Sequence, residues 1–534
     1  MSSTQIRIAA LVALAVAIVV VVVVLVSGGG DDKASKPSGG NENGDPATVA
    51  PATSLAYATF YVRPTGGNAA SVDRMLEKLL GTRDTGVRLR TIGALALGRN
   101  LSPGDVEQWL GRRAGVTVTS LAGGPRGRSN AALIVASKDD GKAQDALEKA
   151  RDASPEPESE RSFRGVDYAV STRGEASAIV GHLVVLGTER AVRAVIDGSK
   201  GRSLANASPG YRRALGTRAA GSLGAFYVDV PRIVRVLRAS PALSGDNAQA
   251  VDALLSATLL GPLSGLVAPT PTGLRVDASM LLGGDAGGVL NAAPLAFIAS
   301  MPTDSWLAAG MTGAGEAVQN AVDAAVGGGL LSGAIRFGVE QRIKSSTGLD
   351  LNNDVIAALG DIGLFGRGVR PAQTGVGAVV RSRESGVLED AVPRYAQFIA
   401  RQRPGTTATE VPVPGGKGVS LTAPRMKMPL VLLARGDRGV AASGLATARA
   451  GLNPGAGVGS TAGFKRARAK LGGIPMLAYL SIEPLVAWAK SAPGARRRGF
   501  AEIEPALRRL DFGVLGVRRV GPRLVFQGYV EAKR

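Results

Sequence analysis

The sequence predicts an α+β body of mainly antiparallel sheet, tethered to a membrane by one N-terminal helix. Three observations lead there. An unbroken apolar run, Ile8 to Val26, stands near the N-terminus. A polar stretch rich in Gly, Ser, Pro, Asn and Asp follows it, to residue 53. Beyond that, segments recur in pairs, in the same order, across two halves of the chain.

The apolar run carries no polar or charged side chain. At about 1.5 Å per residue its helix spans roughly 28 Å, the hydrocarbon thickness of a bilayer. A cleaved signal peptide has an apolar core of only about 7–15 residues and a small-x-small cleavage site. Only Val26-Ser27-Gly28 approximates such a site. A lipidated cysteine is excluded, since the chain has no cysteine. Residues 8–26 therefore read as a single-pass transmembrane signal anchor and residues 1–7 as a cytoplasmic tail. Lys and Arg set orientation weakly here: Arg7 precedes the run, Lys33 and Lys36 follow it. A short tail ahead of a long body places the body outside the cytoplasm, in the cell envelope. Residues 27–53 cannot bury enough apolar surface to offset their ordering entropy. They read as a disordered linker with a typical reach of roughly 25–30 Å.

With 534 residues the body has room for two domains. Aromatics make up only 4% of a chain that is 45% hydrophobic, so the cores must be built from Ala, Val and Leu. The missing cysteines exclude disulfides, a thiolate nucleophile and Cys-ligated metal. A net charge of +20 favours an anionic partner, lipid headgroups or a wall polymer. Dispersed basic residues also follow from an Arg-, Ala- and Gly-rich composition alone. The densest cluster is Arg496-Arg497-Arg498, followed by Arg508, Arg509, Arg518 and Arg519. Nucleic acid is not expected: the compartment is wrong, and no aromatic platform interleaves the charge.

The repeat defines the body. Pro51-Ala52-Thr53-Ser54 precedes the apolar run Leu55–Val62, and Pro302-Thr303-Asp304-Ser305 precedes Trp306–Met311. Next, a segment with Asp105, Trp109 and Gly111 matches one with Asp354, Ala358 and Gly360. Both read as capped short helices stopped by a C′ glycine. Ser137, Gly141 and Asp145 match Ser382, Gly386 and Asp390 at constant offset, as strand, turn and amphipathic helix. Leu183–Leu186 with Glu189-Arg190 matches Leu430–Leu433 with Asp437-Arg438. Tyr211-Arg212-Arg213-Ala214 matches Phe464-Lys465-Arg466-Ala467, and Ala225–Val228 matches Ala478–Ser481. Leu274–Ala278 matches Leu524–Gly528 as an alternating closing strand. The expected organisation is two tandem homologous modules, residues 54–285 and 295–534, joined by a hinge at 286–294. Pure βαβ alternation is absent, so helices should pack on one face of each sheet. The modules should form a pseudo-twofold pair with a ligand groove between them.

The anchor, the Asp-Val-x-x-Trp-Leu-Gly box at Asp105–Gly111 and its weaker copy at Asp354–Gly360 resemble an uncharacterised family of bacterial membrane-anchored proteins of the DUF3352 type. The stretch Leu183–Asp197, Tyr211 and Phe226–Asp229 adds to the likeness. Ala358 stands where the box has Trp109. The resemblance implies the architecture and brings no reaction, cofactor or catalytic residue.

Candidate chemistry is sparse. His182 is the only histidine and has no second histidine for a triad or metal site. The duplicated acids Asp105 and Asp354, Asp145 and Asp390 suit helix starts and surfaces better than acid–base work, because catalytic residues diverge between copies. Gly455–Gly459 and Gly313-Ala314-Gly315 lack the Lys-Ser/Thr of a phosphate loop. Arg435-Gly436-Asp437 aligns with Gly187-Thr188-Glu189 as a strand-to-helix turn. The apolar faces at Val72–Leu80 and Ala317–Val326 read as core. No catalytic, cofactor-binding or metal-ligating residue and no cofactor is expected. The repeat-defining structural residues are Asp105, Trp109, Gly111, Ser137, Asp145, Asp354, Gly360, Ser382 and Asp390. The expected role is non-enzymatic binding or scaffolding in the envelope. A carrier of a lipid or other amphiphile, and a carboxylate-dependent wall-polymer hydrolase, are the alternatives.

Overall fold

The computed structural model describes residues 40–62, 103–120, 129–154, 156–215, 222–238, 260–282, 291–316, 348–369, 374–402, 405–424, 428–491 and 504–533, with isolated positions between 319 and 345 and Met426. The expected anchor at 8–26 lies outside these residues, as do the helix at 72–80, most of that at 317–326, and Arg496-Arg497-Arg498. Among the described residues no helix is long and apolar enough to cross a membrane.

The first half runs β1 (Ala56–Tyr61), α1 (Pro103–Trp109), β2 (Leu110–Ser120), β3 (Asn130–Ser137), α2 (Asp140–Asp152), β4 (Glu158–Phe163), β5 (Val166–Ser171), β6 (Glu175–Val180), β7 (Leu183–Thr188) and α3 (Glu189–Asp197). It continues through α4 (Leu204–Ala207), α5 (Pro209–Leu215), β8 (Gly224–Val228), α6 (Val230–Arg238), β9 (Leu260–Thr270) and β10 (Gly273–Leu282). The second half begins with β11 (Asn291–Ala292), α7 (Leu295–Ala299), β12 (Ser305–Thr312), the π-helical turn α8 (Leu351–Ile356), β13 (Asp361–Arg367), β14 (Gly375–Arg381) and α9 (Val387–Gln402). Then come β15 (Thr407–Glu410), β16 (Lys417–Thr422), β17 (Leu430–Arg435), β18 (Arg438–Ser443), α10 (Leu445–Leu452), α11 (Ala462–Lys470), β19 (Met476–Ser481), α12 (Ile482–Ser491), β20 (Leu510–Val520) and β21 (Arg523–Ala532). Helix starts carry the expected side-chain caps. Asp139 accepts from the Lys142 N–H of α2, Thr188 from Ala191 of α3, and Thr461 from Phe464 of α11.

All of these strands join one sheet, and every pairing is antiparallel. Its order is β4-β5-β6-β7-β3-β2-β1-β8-β9-β10-β21-β20-β19-β12-β13-β14-β18-β17-β16-β15, with β11 beside the end of β12. On either side of β10 and β21 the chain visits its strands in the same sequence. The two central strands pair from Gly273↔Glu531 to Leu281↔Arg523, with Asp277↔Gln527 in the middle. At one end the Leu282 N–H donates to the Pro522 carbonyl, at the other the Ala532 N–H to the Thr272 carbonyl, each at 2.8 Å.

Helices cover both faces of the sheet, where one face was expected. On β3, Leu133 and Val135 join a core with α1 and α2, while Ala132, Ile134 and Ala136 join another with α3, α4 and α5. On β17, Leu432 and Ala434 meet α9, while Val431 and Leu433 meet α7, α10 and α11. A strand buried on both faces reads as a continuous apolar run, and such a run hides which face a helix takes. We call the α2 and α9 side the front and the α5 and α11 side the back.

The expected groove between the halves is filled on the front. Leu274, Val276, Ala278, Met280 and Leu282 of β10 share one core with Leu524 of β21, Val517 of β20 and Ile482 and Val486 of α12. Residues 40–53, expected as linker, lie on the body instead. The Arg112 N–H donates to the Glu42 carbonyl at 2.7 Å, Leu204 to Ala50 at 2.7 Å, and Pro46, Ala47, Val49 and Ala50 are buried. These small apolar residues, spread among polar ones, supply the burial that composition averaging concealed. Of the expected hinge, 286–290 lie outside the described residues, while Asn291–Ala292 form β11 and Pro294 precedes α7.

Two repeat registers shift. β7 and β18 both pair with the same central strand of their halves, β3 and β14, so β18 and not Leu430–Leu433 is the counterpart of β7. Tyr227 packs edge-on against Tyr211 as Tyr479 does against Phe464, so Tyr227 matches Tyr479 rather than Leu480. Apolar strands look alike in sequence, and a one-residue slip exchanges faces.

Leu274 and Leu524 occupy matching places in the shared core, each 1% exposed. Leu274→Ala and Leu524→Ala should each cost about 2–4 kcal/mol. In urea, both should move the unfolding of both halves, followed at Trp109 in the first and at the Trp306–Trp488 stack in the second. A shift confined to one half would show the cores to be independent.

Candidate functional site

Of the four matched acids, Asp105 and Asp354 form structural clasps. Asp105 at the start of α1 pairs with Lys149 of α2 at 3.0 Å. Asp354 in α8 pairs with Arg394 of α9 at 2.5 Å, accepts from the Asp350 N–H, and is buried. Each pair ties the helical turn before a strand to the helix after the next strand. Lys149 and Arg394 lie one helical turn beyond Asp145 and Asp390, which are themselves exposed on α2 and α9. Tyr395 donates to the Asp354 carbonyl at 2.8 Å, and burial pushes its hydroxyl up to about 12. Nine strand spacings separate β2 from β13, so the two acids stand roughly 43 Å apart along the sheet at about 4.8 Å per strand. They cannot act as a carboxylate pair.

The remaining repeat residues pack. Trp109 is 1% exposed, and Ala358 fills the same place in the second half at 2%. Gly111 and Gly360 are not helix C′ caps. A Cβ on either would strike the neighbouring strand, 2.7 Å from the Ala136 carbonyl oxygen and 2.4 Å from that of Arg381. Ser137 Oγ accepts from the Asp139 N–H, and Ser382 Oγ from Glu384. His182 sits in the β6–β7 turn, its Nδ1 2.6 Å from Asp140 Oδ2. Gly436-Asp437 is the matching β17–β18 hairpin turn rather than a strand-to-helix turn; Gly181 and Gly436 both have φ of 61°. Gly457 and Gly459 crowd the Ala299 backbone and so serve packing. Among the described residues no three His, Asp or Glu side chains could hold a metal.

The back of the central strands is open and basic. Strand alternation puts Arg275, Asp277, Ser279 and Leu281 of β10 there beside Arg523, Val525, Gln527, Tyr529 and Glu531 of β21. Gln527 Nε2 donates to Asp277 Oδ1 at 3.3 Å, across the middle of the pair. Arg275 holds Asp277 at 2.8 Å, and this bond raises the arginine's already high pKa. Lys470 reaches over from α11 to Glu531 at 3.1 Å and Thr272 at 3.0 Å. Arg466 holds Asp511 at 2.7 Å.

Matching helices border this strip. Tyr227 and Pro262 lie under Gly210 of α5, while Tyr479 lies under Gly463 of α11. α5 exposes Arg212 and Arg213; α11 exposes Lys465, Arg466 and Arg468. Asp277, Asp511 and Glu531 thus each have a cation, while no described carboxylate pairs with Arg213, Lys465, Arg468, Arg518 or Arg523. Composition gave the excess charge; only the strand order gathers it here.

The family model described as a protein of unknown function, DUF3352, matches residues 7–379. The chain belongs to this family. The DUF3352 match runs from before the apolar run, through β10, to β14, and stops short of β21. No curated protein matches the chain. Among solved structures, crystal form III of TP0453 is similar over 46% of this chain and 82% of its own, at 13% identity and a TM-score of 0.24. Crystal form IV of TP0453 is similar over 44% and 80%, at 12% identity and a TM-score of 0.24.

Two outcomes test the clasps. Asp354→Ala strands a cation beside a buried site and should cost about 2–4 kcal/mol, whereas Asp105→Ala at an exposed pair should cost about 1 kcal/mol or less. Urea midpoints decide this. Tyr395 has a folded pKa above its unfolded value, so its contribution is complete below about pH 10 and fades as pH rises toward 12. Tyr395→Phe should therefore flatten the alkaline limb of a stability–pH curve.

Proposed function

We propose that this DUF3352 protein is a membrane-tethered, extracytoplasmic, non-enzymatic binding protein built by tandem duplication, with an anionic envelope component as its ligand. Residues 8–26 are the anchor and the body lies outside the cytoplasm. The duplication is supported by the repeated strand order and by the Asp105–Lys149 and Asp354–Arg394 clasps at matching places. A repeat in which Asp105 and Asp354 are each engaged in an ion pair between helices is one selected for architecture.

The observation that carries the binding reading is the charge balance on the back of β10 and β21. Each carboxylate there has a cation, and several exposed arginines and lysines remain for a phosphate- or carboxylate-bearing ligand. A carrier function fits less well, because the front of the junction is filled by the shared core. A depression lined by Thr59, Phe60, Tyr61 and Arg113 has room for little more than one water molecule. A hydrolase using Asp105 and Asp354 conflicts with their separation and their clasps.

The full chain in nanodiscs, titrated with polyphosphate and with neutral dextran, tests the reading. Polyphosphate should bind, weakening steeply between low and high salt, and Arg468→Glu with Lys465→Glu should reduce affinity several-fold. Equal binding to dextran, or salt-independent binding, would refute it. Retention of the chain in membranes after alkaline carbonate, lost on deleting residues 8–26, checks the tether.

A further inference from the structure

The two ends of the central strand pair occupy equivalent places yet carry opposite chemistry. Thr270↔Gly273 and Val520↔Arg523 are the last pairs before the β9–β10 and β20–β21 turns. Walking back along β9 and β20, Ala268 therefore corresponds to Arg518, Pro269 to Arg519 and Thr270 to Val520. Across the junction, Glu531 faces Gly273 at one end and Leu281 faces Arg523 at the other. The first end is polar and pinned, with Lys470 bonded to Thr272 and Glu531. The second presents exposed Arg518, Arg519 and Arg523 around Val520, 51% exposed, and Leu281, 39% exposed.

We propose that this second end, the β20–β21 hairpin with Leu281, docks on an anionic lipid surface. The inference rests on the tethered-binding reading and names its ligand. Arg523 lies in register between Val520 and Leu281, and Arg518 is its diagonal neighbour on the same face. No described carboxylate pairs with Arg518 or Arg523. Gly521, at φ 56°, and Pro522 form a two-residue turn at the tip. The arginines suit lipid phosphates, and the two aliphatic side chains gain by entering the headgroup–acyl boundary. A wall polymer would satisfy the arginines but offers no apolar phase, which decides for lipid. The same scaffold position at the other end, with Thr270, Gly273 and Glu531, has neither feature.

The chain has no cysteine, so one probe can be placed at will. The full chain carrying Val520→Cys labelled with an environment-sensitive fluorophore is reconstituted in phosphatidylcholine nanodiscs with and without phosphatidylglycerol. The probe should shift to the blue and be quenched by brominated lipid only in the anionic discs. A probe at Thr270→Cys should stay water-like in both. Arg518→Gln with Arg523→Gln should lower the quenched fraction at least about fivefold, since each arginine near an anionic surface is worth roughly that factor. A water-like Val520→Cys probe in anionic discs overturns the proposal while leaving the tether intact. A blue shift produced by soluble polyphosphate in neutral discs also overturns it, assigning the patch to a polymer. Failure of the chain to integrate overturns the tether. The probe is then read with vesicles of the same two compositions, where an unchanged spectrum overturns the hairpin as well.

Discussion

The antiparallel pairing of β10 with β21 is the contact on which the rest of the molecule depends. It joins the last strand of each half, so two ten-strand arrays become one sheet with no free edge at the middle. Its centre, Asp277 opposite Gln527, is a residue facing its own counterpart. The closing bonds at the two ends, Leu282 to Pro522 and Ala532 to Thr272, are likewise counterparts. Antiparallel pairing of equivalent strands generates a local twofold, and everything attached to the two strands inherits it.

That inheritance explains how the faces divide. On the front, alternate residues of both strands are aliphatic and merge into one core, where each fully buried Leu or Val contributes about 1.5–3 kcal/mol. On the back, the other set is mostly polar, and its carboxylates Asp277 and Glu531 are matched by Arg275 and Lys470. α5 and α11, carried to the two borders by the twofold, add further cations. The fold thus seals one side of its junction and leaves the other solvated.

The matching segments of the two halves differ where packing allows. Ala358 stands where the first half has Trp109, and both residues are buried. Gly111 and Gly360 did not diverge, because a Cβ at either place meets a carbonyl of the adjacent strand. The exposed pair Asp105–Lys149 and the deeper pair Asp354–Arg394 keep one geometry with different side chains. The two hairpin tips differ in chemistry, while Thr272 and Pro522 keep the same backbone acceptor role in each.

The sequence by itself determined composition, the apolar run, the repeat and its sign of charge. Those are readable because hydrophobic periodicity, capping residues and glycine placement are local properties. The placing of Asp105 and Asp354 in the first turn of their helices was legible for that reason. Only the tertiary structure decided that β18 rather than Leu430–Leu433 answers β7, that helices lie on both faces, and that residues 40–53 pack on the body. Doubly buried strands carry no alternation to mark register or side, so pairing alone distinguishes them. The basic strip was invisible for a related reason. Arg213, Lys465 and Arg518 are far apart in the chain, and only the meeting of β10 with β21 brings their elements to one surface.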